Sequence, residues 1–202
     1  VMTGVGRTGK TFAMEHWDVQ ADIMAVGKGI SGGYAPLGAT VATDKVHDAI
    51  ADGSGVFNHG FTYDGHATSC AAGAAVLRYI EENDLVQASA TKGERLMAAL
   101  APLREIPIVG DLRGLGMMIG VEFVQDQATK EPFPVGDAIT HRITQAAFDR
   151  GLIIYPSTGM ADGVRGDAIL IGPPLTIDDA DLDLLVATVI DAVQAVAAEV
   201  AA

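Results

Sequence analysis

One lysine is set apart by its neighbours. In Asp22-Ile23-Met24-Ala25-Val26-Gly27-Lys28-Gly29-Ile30-Ser31-Gly32-Gly33-Tyr34, Lys28 follows a strand-length apolar run and has a glycine on each side. Most lysines are solvated surface charges. A lysine flanked by residues without side chains, after a run that should be buried, sits where the ammonium form is disfavoured. The free amine is a nucleophile toward aldehydes. The glycines also let a flat, bulky group approach the backbone. A second chemistry-bearing stretch, His59-Gly60-Phe61-Thr62-Tyr63-Asp64-Gly65-His66, combines a hydroxyl, aromatic rings and two histidines. His59 and His66 lack metal-ligand spacing and read as hydrogen-bonders in turns, so no metal site is expected.

The opening string Gly4-Val5-Gly6-Arg7-Thr8-Gly9-Lys10-Thr11 fits the bare patterns of a phosphate-binding P-loop and of a dinucleotide fingerprint. Either needs a strand before the loop and a helix opening at its end, and only Val1 to Thr3 precede it. A P-loop enzyme also needs an apolar strand ending in an Asp for magnesium. Ile108-Val109-Gly110-Asp111 is the nearest match, weakened by Pro107 and Gly110. Coincidence is the preferred reading. A P-loop nucleotide hydrolase and a non-catalytic binding fragment stand as the alternatives.

The elements that must position these residues belong to a globular chain. Of 202 residues, 49% are hydrophobic and 19% charged, which excludes wholesale disorder. The formal net charge of -13 makes nucleic acid and anionic membrane surfaces poor partners. Cys70 is the single cysteine, so no intrachain disulfide is possible and a reducing, cytoplasmic compartment is expected. No apolar run reaches the length of a membrane span, and no secretion signal is seen. The chain opens on Val1, as if cut from something longer.

Asp22 to Val26 and Ala39 to Ala42 read as strands of an interior sheet covered by helices. A helix over 68–82 ends at Asn83-Asp84, with Cys70 as a small packing residue, and a second over about 86–103 stops near Pro107. Strands over 108–113 and 117–124 are joined by Gly114-Leu115-Gly116, with Arg113 structural between them. A polar loop over 125–134, a helix over 136–150, a strand over 152–155, a loop over 157–167 and a strand over 168–171 follow. Asp178-Asp179 caps a long C-terminal helix, since carboxylates suit its positive end. Residues 1–84 and 85–202 are expected as two domains, the first α/β and the second a smaller α+β.

Several motifs in order resemble the class III aminotransferases. They are Thr3-Gly4-Val5-Gly6-Arg7-Thr8-Gly9-Lys10, Glu15-His16-Trp17, Gln20-Ala21-Asp22, Gly27-Lys28-Gly29, the His59–His66 stretch and Leu112-Arg113-Gly114-Leu115-Gly116. Arg165-Gly166-Asp167 and Gly172-Pro173-Pro174-Leu175 continue the likeness almost to the end. The resemblance implies a fold-type I enzyme using pyridoxal 5'-phosphate (PLP), as part of the large mixed-sheet domain plus the C-terminal small domain. It implies that Lys28 holds PLP as a Schiff base and then shuttles the substrate proton. Thr62, accompanied by Phe61, is implied to reach the cofactor phosphate of the neighbouring subunit in a homodimer with shared active sites. Arg165 is implied to pair with a substrate carboxylate, for which a planar guanidinium is suited. The substrates implied are an amine or ω-amino acid donor and a keto acid such as pyruvate.

The sequence departs from the family in having Ala67 where a proline is usual, and in Arg165 standing directly before Gly166-Asp167. The acid that pairs with the PLP ring nitrogen, most of the phosphate loop and the ring clamp are expected upstream of Val1. The resemblance thus implies a C-terminal portion, which is not expected to turn over on its own.

Overall fold

In the computed structural model, which describes residues 1–201, the glycine-rich opening is a run of turns ending in a short 3-10 helix, Ala13–Trp17. Among the described residues no α-helix opens at the end of the Gly4–Thr11 string, where a nucleotide cradle needs one. The chain divides into two units, Val1–Gln87 and Ala88–Ala202.

In the first unit, β1 (Ile23–Val26) pairs antiparallel with β2 (Ala39–Ala42), Ile23 opposite Ala42 and Val26 opposite Ala39. Between them lies a 3-10 turn, Lys28–Ser31. Helix α1 (Asp44–Asp52) follows. Helix α2 (Ala67–Glu82) starts without the family's proline, because His66 Nδ1 accepts the backbone N–H of Ser69 at 3.3 Å and caps it.

β1 and β2 pair only with each other among the described residues, as strands whose sheet neighbours are expected upstream of Val1 would. Val26 alone is buried on them, while Ile23 and Val41 stay exposed. Cys70 is exposed instead of packed. The buried positions of α2 are Ser69 and Gly73, one turn apart, and Cys70 falls off that stripe.

Helix α3 (Leu85–Ala99) leads into the second unit. It ends short of the expected stop because Pro102 has no N–H to continue the ladder, and a 3-10 turn (Ala101–Glu105) takes over. β3 (Val109–Leu115), β4 (Met118–Phe123), β5 (Tyr155–Thr158) and β6 (Asp167–Ile171) form an antiparallel sheet in the order β3-β4-β6-β5. Val121 faces Leu112 on one side and Ile169 on the other. The β3–β4 turn is the pair Gly116-Met117, with Gly116 at φ +53°.

Burial alternates along β4, sending Ile119, Val121 and Phe123 into the core with Ile169 and Ile171. Helices α4 (Ile139–Phe148) and α5 (Asp179–Val200) complete that core. On α5, Leu182, Leu185, Val189, Ala192, Val193 and Val196 are buried at helical spacing. Each such Val or Leu contributes roughly 1.5–3 kcal/mol by leaving water. Asp178 caps α5 by accepting the N–H of Asp181 at 2.8 Å.

Two further boundaries are corrected. α4 begins at Ile139, not at residue 136, because Ala138 sits at φ +49°. β5 begins at Tyr155, since residues 152–154 carry the chain from the Gly151 turn to the sheet edge. Pro156, which has no N–H to give, is tolerated there because β5 is an edge strand. No helix among the described residues is long and apolar enough to cross a membrane.

Candidate active site

Lys28 opens the turn that leaves β1, at φ +48°, the left-handed region that side chains usually avoid. Holding it there costs on the order of 1–2 kcal/mol, so the surroundings must fix the turn. They do so from two sides. Val5, itself buried, lies so close that a Cβ on Gly29 would stand 3.0 Å from its Cβ. From α2, Gly73 lets the helix lie against the turn, for a Cβ there would be 2.5 Å from Leu37 Cδ2 and 3.3 Å from the Ile30 carbonyl oxygen. Ser31 Oγ, buried, donates to the Ala35 carbonyl at 2.6 Å and ties the turn's far end.

Sequence reasoning missed Val5 and Gly73 as positioning residues. A signal for Gly73 was present. A glycine inside Ala71-Ala72-Gly73-Ala74-Ala75 gives up about 1 kcal/mol of helix propensity against alanine, which asks for a close-packing reason.

The sequence reading placed Lys28 in a buried setting. The structure leaves its side chain exposed, since the strand before it is largely exposed too. What singles it out is a free amine. Lys45 pairs with Asp22 at 3.3 Å, Lys92 donates to the Ile177 carbonyl, and Lys130 donates to the Gly110 carbonyl at 2.7 Å. Of the five lysines, all among the described residues, only Lys28 and Lys10 have no hydrogen-bond or ion-pair partner. Of these two, only Lys28 is held on a tight turn between glycines. An unpaired amine there fits a ligand that carries an aldehyde carbon.

Thr62 lies in a series of turns. Asp64 Oδ2 accepts the N–H of Phe61 at 2.8 Å, and His59 stands edge-on between Phe57 and Phe61 with ring centroids 5.6 and 5.0 Å away. Phe61 is 71% exposed and Tyr63 78% exposed. Thr62 makes no side-chain hydrogen bond among the described residues, and no bond links Lys28 to Phe61 or Thr62. His66 proves to be a cap, as a turn hydrogen-bonder should. No group of three or more His, Cys, Asp and Glu among the described residues could hold a metal.

In the second unit, Arg165 sits in the β5–β6 loop. Asp162 Oδ2 accepts its Nε–H at 2.8 Å, and Glu131 Oε1, from the 125–134 loop, accepts its Nη1–H at 2.8 Å. Asp162 Oδ1 also accepts the backbone N–H of Val164 at 3.0 Å and of Arg165 at 2.7 Å. These bonds, led by the one from the Arg165 side chain, hold the Asp162 carboxyl down to about 2. In return Asp162 and Glu131 hold the Arg165 guanidinium charged more firmly than usual. Arg113 is structural, as expected, bonding both Asp111 and Glu122 at 2.7 Å.

Comparison with known proteins places this geometry in context. The family model for Aminotransferase class-III matches residues 1–193. The chain is 44% identical over 197 residues to an uncharacterized aminotransferase, YodT, of Bacillus subtilis (strain 168), covering 97% of this chain and 44% of that protein. A crystal structure of a transaminase from the marine bacterium Virgibacillus superposes with a TM-score of 0.92 at 36% identity, covering 99% of this chain and 45% of that one. An amine transaminase from an uncultivated Pseudomonas species, in its PLP-bound (internal aldimine) form, gives a TM-score of 0.88 at 36% identity, over 96% of this chain and 43% of that one. The chain thus spans less than half the length of the relatives it matches.

Proposed function

Because the chain belongs to the class-III aminotransferases and has the fold of the matching part of fold-type I transaminases, we propose that it carries the lysine half of a PLP-dependent active site. The reaction is transfer of an amino group from an amine or ω-amino acid to a keto acid such as pyruvate. Residues 1–84 are then the C-terminal part of the large cofactor-binding domain, and 85–202 the small domain. The observation that carries this reading is Lys28, an unpaired amine held by Val5 and α2 on a strained turn between glycines.

When bound, PLP supplies an aldehyde carbon for an amine and a ring that takes up electrons from the substrate carbon. Lys28 Nζ is the amine that would hold it, and, when free, would be the base that takes a proton from the substrate α-carbon and later gives it back. Thr62 supplies a free hydroxyl for the phosphate of the neighbouring subunit in a homodimer, with Phe61 beside it. The exposed rings around Thr62 support a segment that meets a second subunit. Arg165 takes the substrate carboxylate. A cytoplasmic setting belongs to the same proposal, supported by the lone free cysteine.

The test is borohydride reduction of the full-length holoprotein followed by peptide mass mapping. The phosphopyridoxyl label is expected on Lys28. Lys10, the other unpaired lysine, is the internal control, and a label there refutes the assignment.

A further inference from the structure

Asp64 closes the turn that carries Thr62, and it does so through two bonds to one residue. Its backbone N–H donates to the Phe61 carbonyl at 3.0 Å, and its Oδ2 accepts the Phe61 N–H at 2.8 Å. Phe61 to Asp64 is therefore a β-turn with Thr62 and Tyr63 at its corners, clasped by main chain and side chain together. The contacts on either side lead away from the clasp. His66 N–H donates to the Tyr63 carbonyl at 3.1 Å and passes the chain into the cap of α2, while His59 stands edge-on to the Phe61 ring.

Thr62 depends on this clasp because its side chain has no tether of its own. It is exposed and makes no hydrogen bond among the described residues. A β-branched side chain has few χ1 settings, so the place of its hydroxyl follows from the backbone. Hydrogen bonds weaken steeply when distance and angle are lost, so a turn that opens takes the hydroxyl away from an acceptor. Of the side-chain hydrogen bonds among the described residues, only the one from Asp64 ties the two ends of the Phe61–Asp64 turn. A carboxylate two residues from a phosphate ligand also repels that phosphate, so its presence asks for a reason other than charge. The clasp is that reason.

We propose that Asp64 is a positioning residue for the cofactor phosphate, holding the Phe61–Asp64 turn closed and so setting the place of the Thr62 hydroxyl. The inference rests on the reading of Thr62 as a phosphate ligand for the neighbouring subunit and adds what fixes that ligand. Only molecules with the turn closed present the hydroxyl, so the apparent affinity for PLP falls with the closed fraction. One side-chain hydrogen bond changes that closure by about 2- to 10-fold.

The experiment is PLP titration of the full-length protein stripped of its cofactor, followed by fluorescence, with hydrogen exchange at the Phe61 amide measured in the same cofactor-free protein. The variants are Asp64→Ala, Asp64→Asn, Thr62→Ala and Asp64→Ala/Thr62→Ala. Asp64→Ala is expected to speed exchange at Phe61 by about 2- to 10-fold and to raise Kd for PLP by up to the same factor. Asp64→Asn keeps an acceptor oxygen and removes the repelling charge. It is expected to keep Phe61 protected and to leave Kd unchanged or lower. In the Thr62→Ala background Asp64→Ala is expected to leave Kd unchanged. If Thr62→Ala raises Kd but Asp64→Ala does not, the positioning role falls and the reading of Thr62 stands. If Thr62→Ala leaves Kd unchanged, the reading of Thr62 falls and the positioning role with it. If Asp64→Asn weakens PLP binding as much as Asp64→Ala, or Asp64→Ala acts equally with and without Thr62, the carboxylate does not work through the clasp and the proposal is overturned.

Discussion

Asp167→Ala removes a helix cap that comes from outside the helix. α4 opens after Ala138, which has no side chain able to cap, and its first turn is served from β6. Asp167 is 7% exposed, and its Oδ1 accepts the Thr140 backbone N–H at 2.9 Å and the Thr140 hydroxyl at 2.8 Å. Thr140 Oγ1 in turn accepts the Ala168 N–H at 3.2 Å. Losing a cap costs about 0.5–2 kcal/mol. The Thr140 N–H is also left buried without an acceptor, at about 1–3 kcal/mol. The hydroxyl recovers part of its loss by turning to the Ser157 carbonyl, 3.3 Å away. Because the cap and the stranded N–H overlap, the total is about 2–4 kcal/mol. Asp167→Asn keeps an acceptor oxygen and loses only the charge assistance, about 1 kcal/mol. The assay is urea unfolding of the full-length protein at neutral pH, with hydrogen exchange in the first turn of α4 as the local probe. The alanine variant should unfold at lower urea and lose protection at Thr140, with asparagine intermediate. A loss below about 0.5 kcal/mol for alanine, or equal losses for the two variants, refutes the cap argument.

Two other expectations are as direct. Asp162 has its carboxyl held at about 2 against an ordinary 3.8, so what its bonds add to the folded state is fully present above that ordinary value. It is lost as pH falls toward and through 2. A carboxyl-carbon NMR titration should give a midpoint near 2, moving up toward the ordinary value in Arg165→Ala; no movement would mean that the guanidinium is not the cause. Gly93→Ala sets helix propensity, a gain of about 1 kcal/mol, against a Cβ placed 2.2 Å from the Gly116 carbonyl carbon and oxygen. Backbone cannot swing aside, so overpacking of roughly 3 kcal/mol or more should win, and a rise in unfolding midpoint would show that α3 and the turn do not touch.

Much of this protein was determined by the sequence itself. The face and the cap of α5, the alternation on β4 and the conspicuous place of Lys28 were all legible, because each depends on residues within a turn or a few positions of one another. The family resemblance supplied the chemistry proposed for Lys28, Thr62 and Arg165. The tertiary structure decided the rest. A break at Ala138 or a changeover at Pro102 shortened helices whose apolar spacing ran on. The runs at β1 and β2 have the apolar character of interior strands, but burial is a property of what covers a strand, and the described residues leave Ile23 and Val41 exposed. The cap of α4 comes from a residue far along the chain, and Arg165 finds Glu131 across a different loop. Periodicity reports which side of an element prefers to leave water. It carries no information on which distant donor or carboxylate the chain's path will bring within three ångströms, and that meeting is what fixed the setting of Arg165.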